Sequence, residues 1–207
     1  MTFRCVAVLV AGLAFLSAAQ AQTLSGPALT AALRQGGYVM VMRHASSPTT
    51  IPSKAEAAAG NFGPERQLDA KGRDTARAMG EAFKALRIPV GAVLSSPTYR
   101  AIETTRYAQL GIPLPVPELG DGGQGMAGNV EEERRAWLRK KIGEAPPTGM
   151  DILLVTHAPN ITGAFGQAGM GIAEGEMMVF KPDGKGAAPL VAHVKIDEWP
   201  ALATASQ

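Results

Sequence analysis

Arg43 and His44 end an apolar run of sequence Tyr-Val-Met-Val-Met. Two glycines precede the run and Ser-Ser-Pro comes shortly after it, which is typical of a buried strand that opens into a loop. In open α/β sheets, ligands bind outside the carboxyl ends of the strands. A guanidinium beside an imidazole at such an edge can bind an anion and attack it, whereas the pair alone also fits a surface ion pair or a capped histidine.

Two further predicted strands end in the same kinds of side chain. His157 directly follows the apolar residues 151–156, and Arg100 follows residues 90–94 within the sequence Ser-Ser-Pro-Thr-Tyr-Arg. Because the carboxyl ends of parallel strands share one edge, these side chains are expected to meet the first Arg-His pair in one pocket. Guanidinium groups form paired hydrogen bonds to phosphate oxygens, and a neutral imidazole nitrogen is a nucleophile toward phosphorus. The four side chains therefore predict phosphoryl chemistry.

The segments that must position these groups alternate between strand and helix patterns. Helices are predicted at residues 24–35, 69–86, 98–110 and 131–142, and strands at residues 38–43, 90–94, 114–116, 151–156, 177–180 and 190–196. This alternation predicts a single three-layer α/β/α domain with a mostly parallel sheet that is covered on both faces. The glycine-rich residues 120–128 are predicted to form a mobile loop.

Four ordered motifs resemble the histidine phosphatase superfamily, which has the phosphoglycerate mutase-like fold. Residues 43–44 match its Arg-His pair, residues 95–104 match Ser-Ser-Pro-x-x-Arg-x-x-x-Thr, and residues 156–157 match its late Thr-His. Residues 68–73 resemble the Leu-x-x-x-Gly-Arg start of a family helix. The resemblance covers residues 39–196, which is nearly the whole chain after residue 21.

The resemblance implies a role for each of the four converging side chains. His44 would be the nucleophile that forms a phosphohistidine intermediate, and Arg43 and Arg100 would hold the phosphoryl oxygens. His157 would donate a hydrogen bond to the developing charge. The implied activity is hydrolysis of a phosphate monoester, on a small phosphorylated substrate or a phosphoprotein. A phosphomutase of the same fold and a non-catalytic phosphate-binding protein are the alternatives.

A carboxylic acid must also protonate the leaving oxygen, and three residues are candidates. Aligned with the mutase-like branch, the Leu-Gly-Asp sequence nominates Asp121, although an aspartate flanked by glycine also suits a turn. Glu176 and Glu174, just before a predicted strand, are the alternatives. The acid that phosphatase relatives carry directly after the second histidine is absent, because Ala158 and Pro159 stand there.

Three other positions carry expectations. Asn160 lies near the start of a helix, where its amide could reach the phosphate or cap the helix. His193 is expected to be structural, without an acidic partner nearby. The family usually has glycine after its nucleophile, so Ala45 would strain a left-handed turn there or mark an ordinary one. No metal or other cofactor is expected, since the three histidines lack ligand spacing and the arginines supply the positive charge.

The N-terminus and the composition limit the location and the partners. Arg4, an apolar stretch at residues 6–16 and the sequence Ala-Gln-Ala predict a signal peptide at residues 1–21, with a secreted or periplasmic domain at residues 22–207. The apolar stretch is too short for a spanning helix, and the single cysteine, Cys5, would leave with the peptide.

With 20 basic and 18 acidic residues, the chain lacks the basic face that nucleic acid requires. The sequence predicts no oligomeric state.

Overall fold

A computed structural model describes residues 23–122 and 130–206 of the chain. The predicted signal peptide and most of the glycine-rich segment, residues 123–128, lie outside the described residues. Within the part that the structure describes, no helix is long and apolar enough to cross a membrane.

Within residues 23–122 and 130–206, the domain has six strands and six α-helices. The strands are β1 (Val39–Arg43), β2 (Val90–Ser95), β3 (Pro113–Pro115), β4 (Asp151–Thr156), β5 (Met177–Phe180) and β6 (Leu190–Val194). The helices are α1 (Gly26–Arg34), α2 (Ala70–Leu86), α3 (Tyr99–Ala108), α4 (Glu131–Ile142), α5 (Ala158–Phe165) and α6 (Trp199–Ala205). Short 3-10 helices form at Pro117–Leu119 and Gly166–Gly169.

The strands form one sheet in the order β3-β2-β4-β1-β5-β6. Strands β3, β2, β4 and β1 pair in parallel, whereas β5 and β6 pair antiparallel at the other side of β1. The predicted mostly parallel sheet is therefore confirmed. Because β1, β4 and β2 are neighbours that run in one direction, the loops that follow them meet at the same edge.

Helices cover both faces of the sheet and bury two separate cores. Met40 and Met42 point to the face covered by α1, α2, α3 and α6, whereas Val39 and Val41 point to the face covered by α4 and α5. Side chains alternate between the faces of a strand, so an uninterrupted apolar run is what a strand buried on both faces requires. The predicted three-layer α/β/α architecture is thereby confirmed.

Most of the predicted elements form within one or two residues of their expected ends, but α6 was missed. This helix has only seven residues and begins at Trp199, with a proline in its first turn. The Trp199 ring packs edge-on against Phe83 of α2, with 4.5 Å between the ring centroids. Burial of a large aromatic side chain stabilises this helix, and such tertiary contacts are not visible in a short sequence window.

The start of α2 fixes the loop that follows β1. Asp69 caps the helix by accepting from the Gly72 amide at 2.6 Å, and its second carboxylate oxygen accepts from the Ser46 hydroxyl at 2.8 Å. A Cβ at Gly72 would lie 2.2 Å from the Ser46 carbonyl oxygen. Only glycine permits this approach, which explains why the motif at residues 68–73 has glycine at that position.

A buried carboxyl group, Asp151, lies at the opposite end of the sheet from that loop. One oxygen accepts from the Tyr38 amide at 2.8 Å, and the side chain is fully buried at the start of β4. Burial raises the pKa of Asp151 from 3.8 to about 7, against the opposing effects of the Tyr38 hydrogen bond and the Lys181 charge. Folding therefore favours the protonated form of this carboxyl group.

The raised pKa of Asp151 predicts how its contribution to stability depends on pH. The unfolded chain ionises with a pKa of 3.8, whereas the folded state keeps its proton up to about pH 7, so the advantage of the folded state is lost as the pH rises from about 4 through about 7. Relative to Asp151→Asn, the free energy of unfolding of the wild-type protein should fall by roughly 3 kcal/mol between these limits. Urea titrations at several pH values measure this difference. The exposed Asp74→Asn serves as control, and a pH-independent difference would contradict the prediction.

Candidate active site

The predicted site residues meet at one edge of the sheet. Arg43 ends β1 and His157 follows β4, and the two strand ends are in register because Arg43 is paired with Thr156. The neighbouring β2 ends beside β4, with Ser95 paired to Val155, and leads into the α3 start that carries Arg100. The groups line a cavity of about 330 Å³, together with His44, Arg66, Asp121, Ala158 and Pro159.

Arg100 is the hub of this cavity and is 97% buried, with 3% of its surface exposed. Its Nε donates to His44 Nε2 at 3.2 Å. One terminal nitrogen donates to His157 Nδ1 at 3.1 Å and to the Asp121 carboxylate at 2.5 Å. A single guanidinium thus contacts both predicted histidines and one of the predicted proton donors, Asp121.

His44 is held as a neutral imidazole whose basic nitrogen accepts a hydrogen bond from Arg100. Its Nδ1 lies 2.8 Å from the Ala45 carbonyl oxygen, which can only accept, so Nδ1 carries the proton and Nε2 carries the lone pair. Burial, reinforced by the charges of Arg100, Arg43 and Arg66, lowers the pKa of His44 from 6.5 to about 3. The side chain is therefore an unprotonated nucleophile at neutral pH.

His157 is neutral for the same physical reason. Its Nδ1 accepts from Arg100, so the proton is on Nε2, which donates to the Ser96 hydroxyl at 2.9 Å. Burial, followed by the Arg100 charge, holds the pKa of His157 well below its usual value. The two imidazole rings lie 5.2 Å apart between centroids, which places both beside one small anion.

Arg43 is anchored from the side opposite to Arg100. One terminal nitrogen donates to the Ile172 carbonyl oxygen at 3.0 Å, and the other lies 3.2 Å from the Glu174 carboxylate. About a quarter of the Arg43 side chain is exposed, 26% in all, toward the cavity opening. These contacts orient the guanidinium at the pocket while leaving part of it accessible.

Sequence reasoning missed a third arginine, Arg66, which also lines the cavity. Its guanidinium donates to the carbonyl oxygens of Pro48 at 2.6 Å and Ser47 at 2.9 Å, within the loop that follows the nucleophile. Burial, together with the charges of Arg100 and Arg43, lowers the pKa of Arg66. The sequence signal for Arg66 was its place just before the motif at residues 68–73. That motif begins where the chain leaves the loop after the nucleophile.

The three proton-donor candidates occupy different environments. Asp121 lines the cavity beside Arg100, with 23% of its side chain exposed. Glu174 pairs with Arg43 and lines an adjacent cavity of about 290 Å³. Glu176 accepts from the Ala173 amide at 2.8 Å and lies 3.0 Å from His193. Of the three carboxylates, Asp121 is the one among the residues that line the pocket of His44.

The Asn160 amide is directed away from the cavity. Its nitrogen donates to the Gly120 carbonyl oxygen at 2.6 Å and to the Thr156 hydroxyl at 3.0 Å, while its oxygen accepts from Arg134 Nε at 3.1 Å. Both amide hydrogens are thus used, so they do not reach a phosphate in this arrangement. His157, not Asn160, occupies the cap position of α5.

The structure also gives an outcome for the expectations about Ala45 and His193. Ala45 does not adopt a left-handed conformation; its amide donates to the Thr104 hydroxyl at 3.0 Å and its methyl group belongs to the core. The ordinary turn is therefore correct. The expectation that His193 has no acidic partner is wrong, because the antiparallel pairing of β5 with β6 brings it to Glu176.

The cavity combines cationic and neutral nitrogen groups rather than metal ligands. Among residues 23–122 and 130–206, no three histidine, cysteine, aspartate or glutamate side chains lie close enough to hold a metal ion. Three guanidinium groups and two neutral imidazoles around a small space are suited to a tetrahedral oxyanion. The arrangement offers both charge neutralisation and a nucleophilic nitrogen.

The site and fold identify the class of this protein. The family model described as "Histidine phosphatase superfamily (branch 1)" matches residues 39–155, from the first residue of β1 nearly to the end of β4. The chain belongs to the histidine phosphatase superfamily, as its ordered motifs predicted. No curated protein matches the chain by sequence.

Solved structures share this fold at low sequence identity. The protein histidine phosphatase SixA, complexed with tungstate, is 19% identical, with a TM-score of 0.54, and the match covers 78% of this chain and 98% of that one. A phosphoserine phosphatase mutant from Entamoeba histolytica, complexed with phosphoserine, is 13% identical, with a TM-score of 0.51 and coverage of 77% and 97%. These similarities establish the phosphoglycerate mutase-like fold of the chain.

Arg66 is predicted to contribute to anion affinity. Arg66→Met removes one cation from the cavity and should weaken the binding of inorganic phosphate about tenfold or more, the effect of one charge-assisted hydrogen bond. Isothermal calorimetry measures the change. Arg77→Met is the matched control, because Arg77 pairs with Asp74 on the exposed face of α2. Equal phosphate affinity in both variants would contradict this role of Arg66.

Proposed function

We propose that this protein is a phosphomonoesterase that works through a phosphohistidine on His44. The observation that carries the proposal is the unprotonated Nε2 of His44, held by the buried Arg100 in a cavity lined by three arginines. A phosphate monoester carries negative charge that the three guanidinium groups can neutralise. The volume of about 330 Å³ favours a small phosphate ester as the substrate.

The first chemical step transfers the phosphoryl group to His44. Arg100 shifts its Nε hydrogen bond from His44 Nε2 to the phosphoryl oxygens, which releases the Nε2 lone pair. That lone pair attacks phosphorus, the bond from phosphorus to the leaving oxygen breaks, and that oxygen takes a proton from Asp121. Arg43, Arg66 and Arg100 donate to the phosphoryl oxygens and neutralise their charge. The hydrogen bond from His44 Nδ1 to the Ala45 carbonyl oxygen stabilises the positive charge that the phosphorylated ring acquires.

The second step returns the enzyme to its starting state. Asp121, now ionised, takes a proton from a water molecule, whose oxygen attacks the phosphohistidine. The bond from phosphorus to nitrogen breaks and inorganic phosphate leaves. General acid and general base roles alternate on one carboxyl group, as microscopic reversibility requires.

Asp121 is suited to donate a proton once substrate is bound. In the structure its carboxylate is paired with Arg100 at 2.5 Å. A phosphoryl dianion competes for the same guanidinium, and its negative charge beside the carboxyl group favours the protonated form. Substrate binding therefore prepares the acid that the leaving oxygen needs.

Replacement of the nucleophile tests this function. His44→Ala should lower the turnover of a generic aryl phosphate by at least about a thousandfold, because no phosphoenzyme can form, while the far-ultraviolet circular dichroism spectrum stays unchanged. Rapid quenching in alkali, followed by mass spectrometry, should locate a phosphoryl group on the wild-type peptide that contains His44. Peptides from the variant should lack it.

His193→Ala is the matched control, because His193 lies outside the cavity and pairs with Glu176. Full turnover by His44→Ala, or loss of turnover in the control alone, would refute the mechanism. Release of one free alcohol for each phosphate identifies a hydrolase, whereas transfer of phosphate to a second hydroxyl group identifies a mutase. Phosphate binding without turnover of any ester identifies a binding protein.

The low pKa of His44 makes a prediction about the pH dependence of turnover. Because the nucleophile becomes protonated only near pH 3, it should not cause an acid limb near pH 6.5. The acid limb of kcat/KM should instead follow the second ionisation of the substrate. Profiles measured with two esters of different acidity should therefore differ in their inflection. A common inflection near pH 6.5 would show that a protein histidine controls the rate.

A further inference from the structure

The loop that carries Asp121 rests on a buried polar cluster. The cluster consists of Thr156, Asn160 and Arg134, which are 0%, 1% and 5% exposed. Thr156 ends β4, Asn160 lies in the first turn of α5, and Arg134 lies in α4. None of the three is among the residues that line the cavity of His44.

The cluster binds the backbone that leads into Asp121. The Thr156 hydroxyl donates to the Leu119 carbonyl oxygen at 2.7 Å, and the Asn160 amide donates to the Gly120 carbonyl oxygen at 2.6 Å. On the far side, Gly122 has a φ of 78°, and a Cβ built there would lie 2.9 Å from the Arg134 guanidinium. The loop is thus held by hydrogen bonds immediately before Asp121, and the chain passes close to the Arg134 guanidinium immediately after it.

The hydrogen bonds within the cluster determine the orientation of every group. Arg134 can only donate, so it must face the Asn160 oxygen, which places the amide nitrogen toward Gly120 and Thr156. Thr156 accepts from Asn160 and donates to Leu119, so its hydroxyl is used in both directions. A buried network that satisfies these groups holds one geometry, because each alternative leaves a buried polar atom unpaired.

We propose that Asn160, supported by Thr156 and Arg134, is a positioning residue for the proton donor Asp121. This inference rests on the proposed function, since it concerns the same carboxyl group. Arg100 binds the Asp121 carboxylate, and a phosphoryl group competes for that guanidinium. The backbone contacts made by Asn160 and Thr156 do not depend on Arg100, so they keep the carboxyl group beside the leaving oxygen when its ion pair weakens.

The dependence on the leaving group separates positioning from general stability. A nitrophenolate leaves without a proton, whereas an alkoxide needs one. Asn160→Ala should therefore lower kcat/KM for an alkyl phosphate by about tenfold to a hundredfold, and that for nitrophenyl phosphate by less than about threefold. A purely structural role would lower the two values by the same factor.

Thr156→Val retains the side-chain volume and provides a second variant if Asn160→Ala folds poorly. It should show the same preference for the nitrophenyl ester, because it loses the bond to Leu119. Thr162→Val is the matched control: its hydroxyl on α5 donates to the Gly169 carbonyl oxygen at 3.0 Å, in the 3-10 helix at Gly166–Gly169. The control should retain the wild-type ratio between the two esters.

Asp121→Asn distinguishes failure of this inference from failure of the proposed function. If Asp121→Asn shows the leaving-group effect and combining it with Asn160→Ala adds little, the positioning role is supported. If Asp121→Asn shows the effect but neither Asn160→Ala nor Thr156→Val does, the positioning role is refuted and the phosphatase mechanism stands. If Asp121→Asn affects both esters equally, the donor assignment fails, and the positioning role fails with it.

Discussion

The buried guanidinium of Arg100 is the interaction on which the site depends. A charge removed from water requires hydrogen-bond partners, and this one has two neutral imidazoles and one carboxylate. The same contacts define which nitrogen of each histidine carries the proton. Arg100 therefore has three effects at once: it orients His44, it helps to keep both histidines unprotonated, and it pairs with Asp121.

Most of the fold follows from patterns that span a few residues. The apolar runs of β1 and β4 are buried on both faces of the sheet, and the acidic start and basic end of α4 match the helix dipole. Parallel pairing then brings strand ends together, so the convergence of His44, Arg100 and His157 was predictable. Each of these inferences needs only a hydrophobic periodicity, a helix cap or the direction of a strand.

The parts that sequence reasoning missed depend on contacts between distant segments. The Asn160 amide faces Gly120, which is 40 residues away, and a phosphate contact was an equally reasonable expectation from its place in the chain. The contact of His193 with Glu176 requires the pairing of β5 with β6, and the place of Arg66 requires the path of the preceding loop. Side-chain orientation of this kind is set by tertiary packing rather than by local pattern.

When the protein folds, groups at the two ends of β4 exchange protons with the solvent in opposite directions. Its first residue, Asp151, gains a proton on folding near pH 5.5, whereas His157 after its last residue loses one, as does the neighbouring His44. The uptake at one end offsets part of the release at the other, so the folding equilibrium is less sensitive to acid than two buried histidines alone would make it. A carboxyl group at the opposite end of β4 from the chemistry thus reduces the acid sensitivity that the chemistry imposes on the fold.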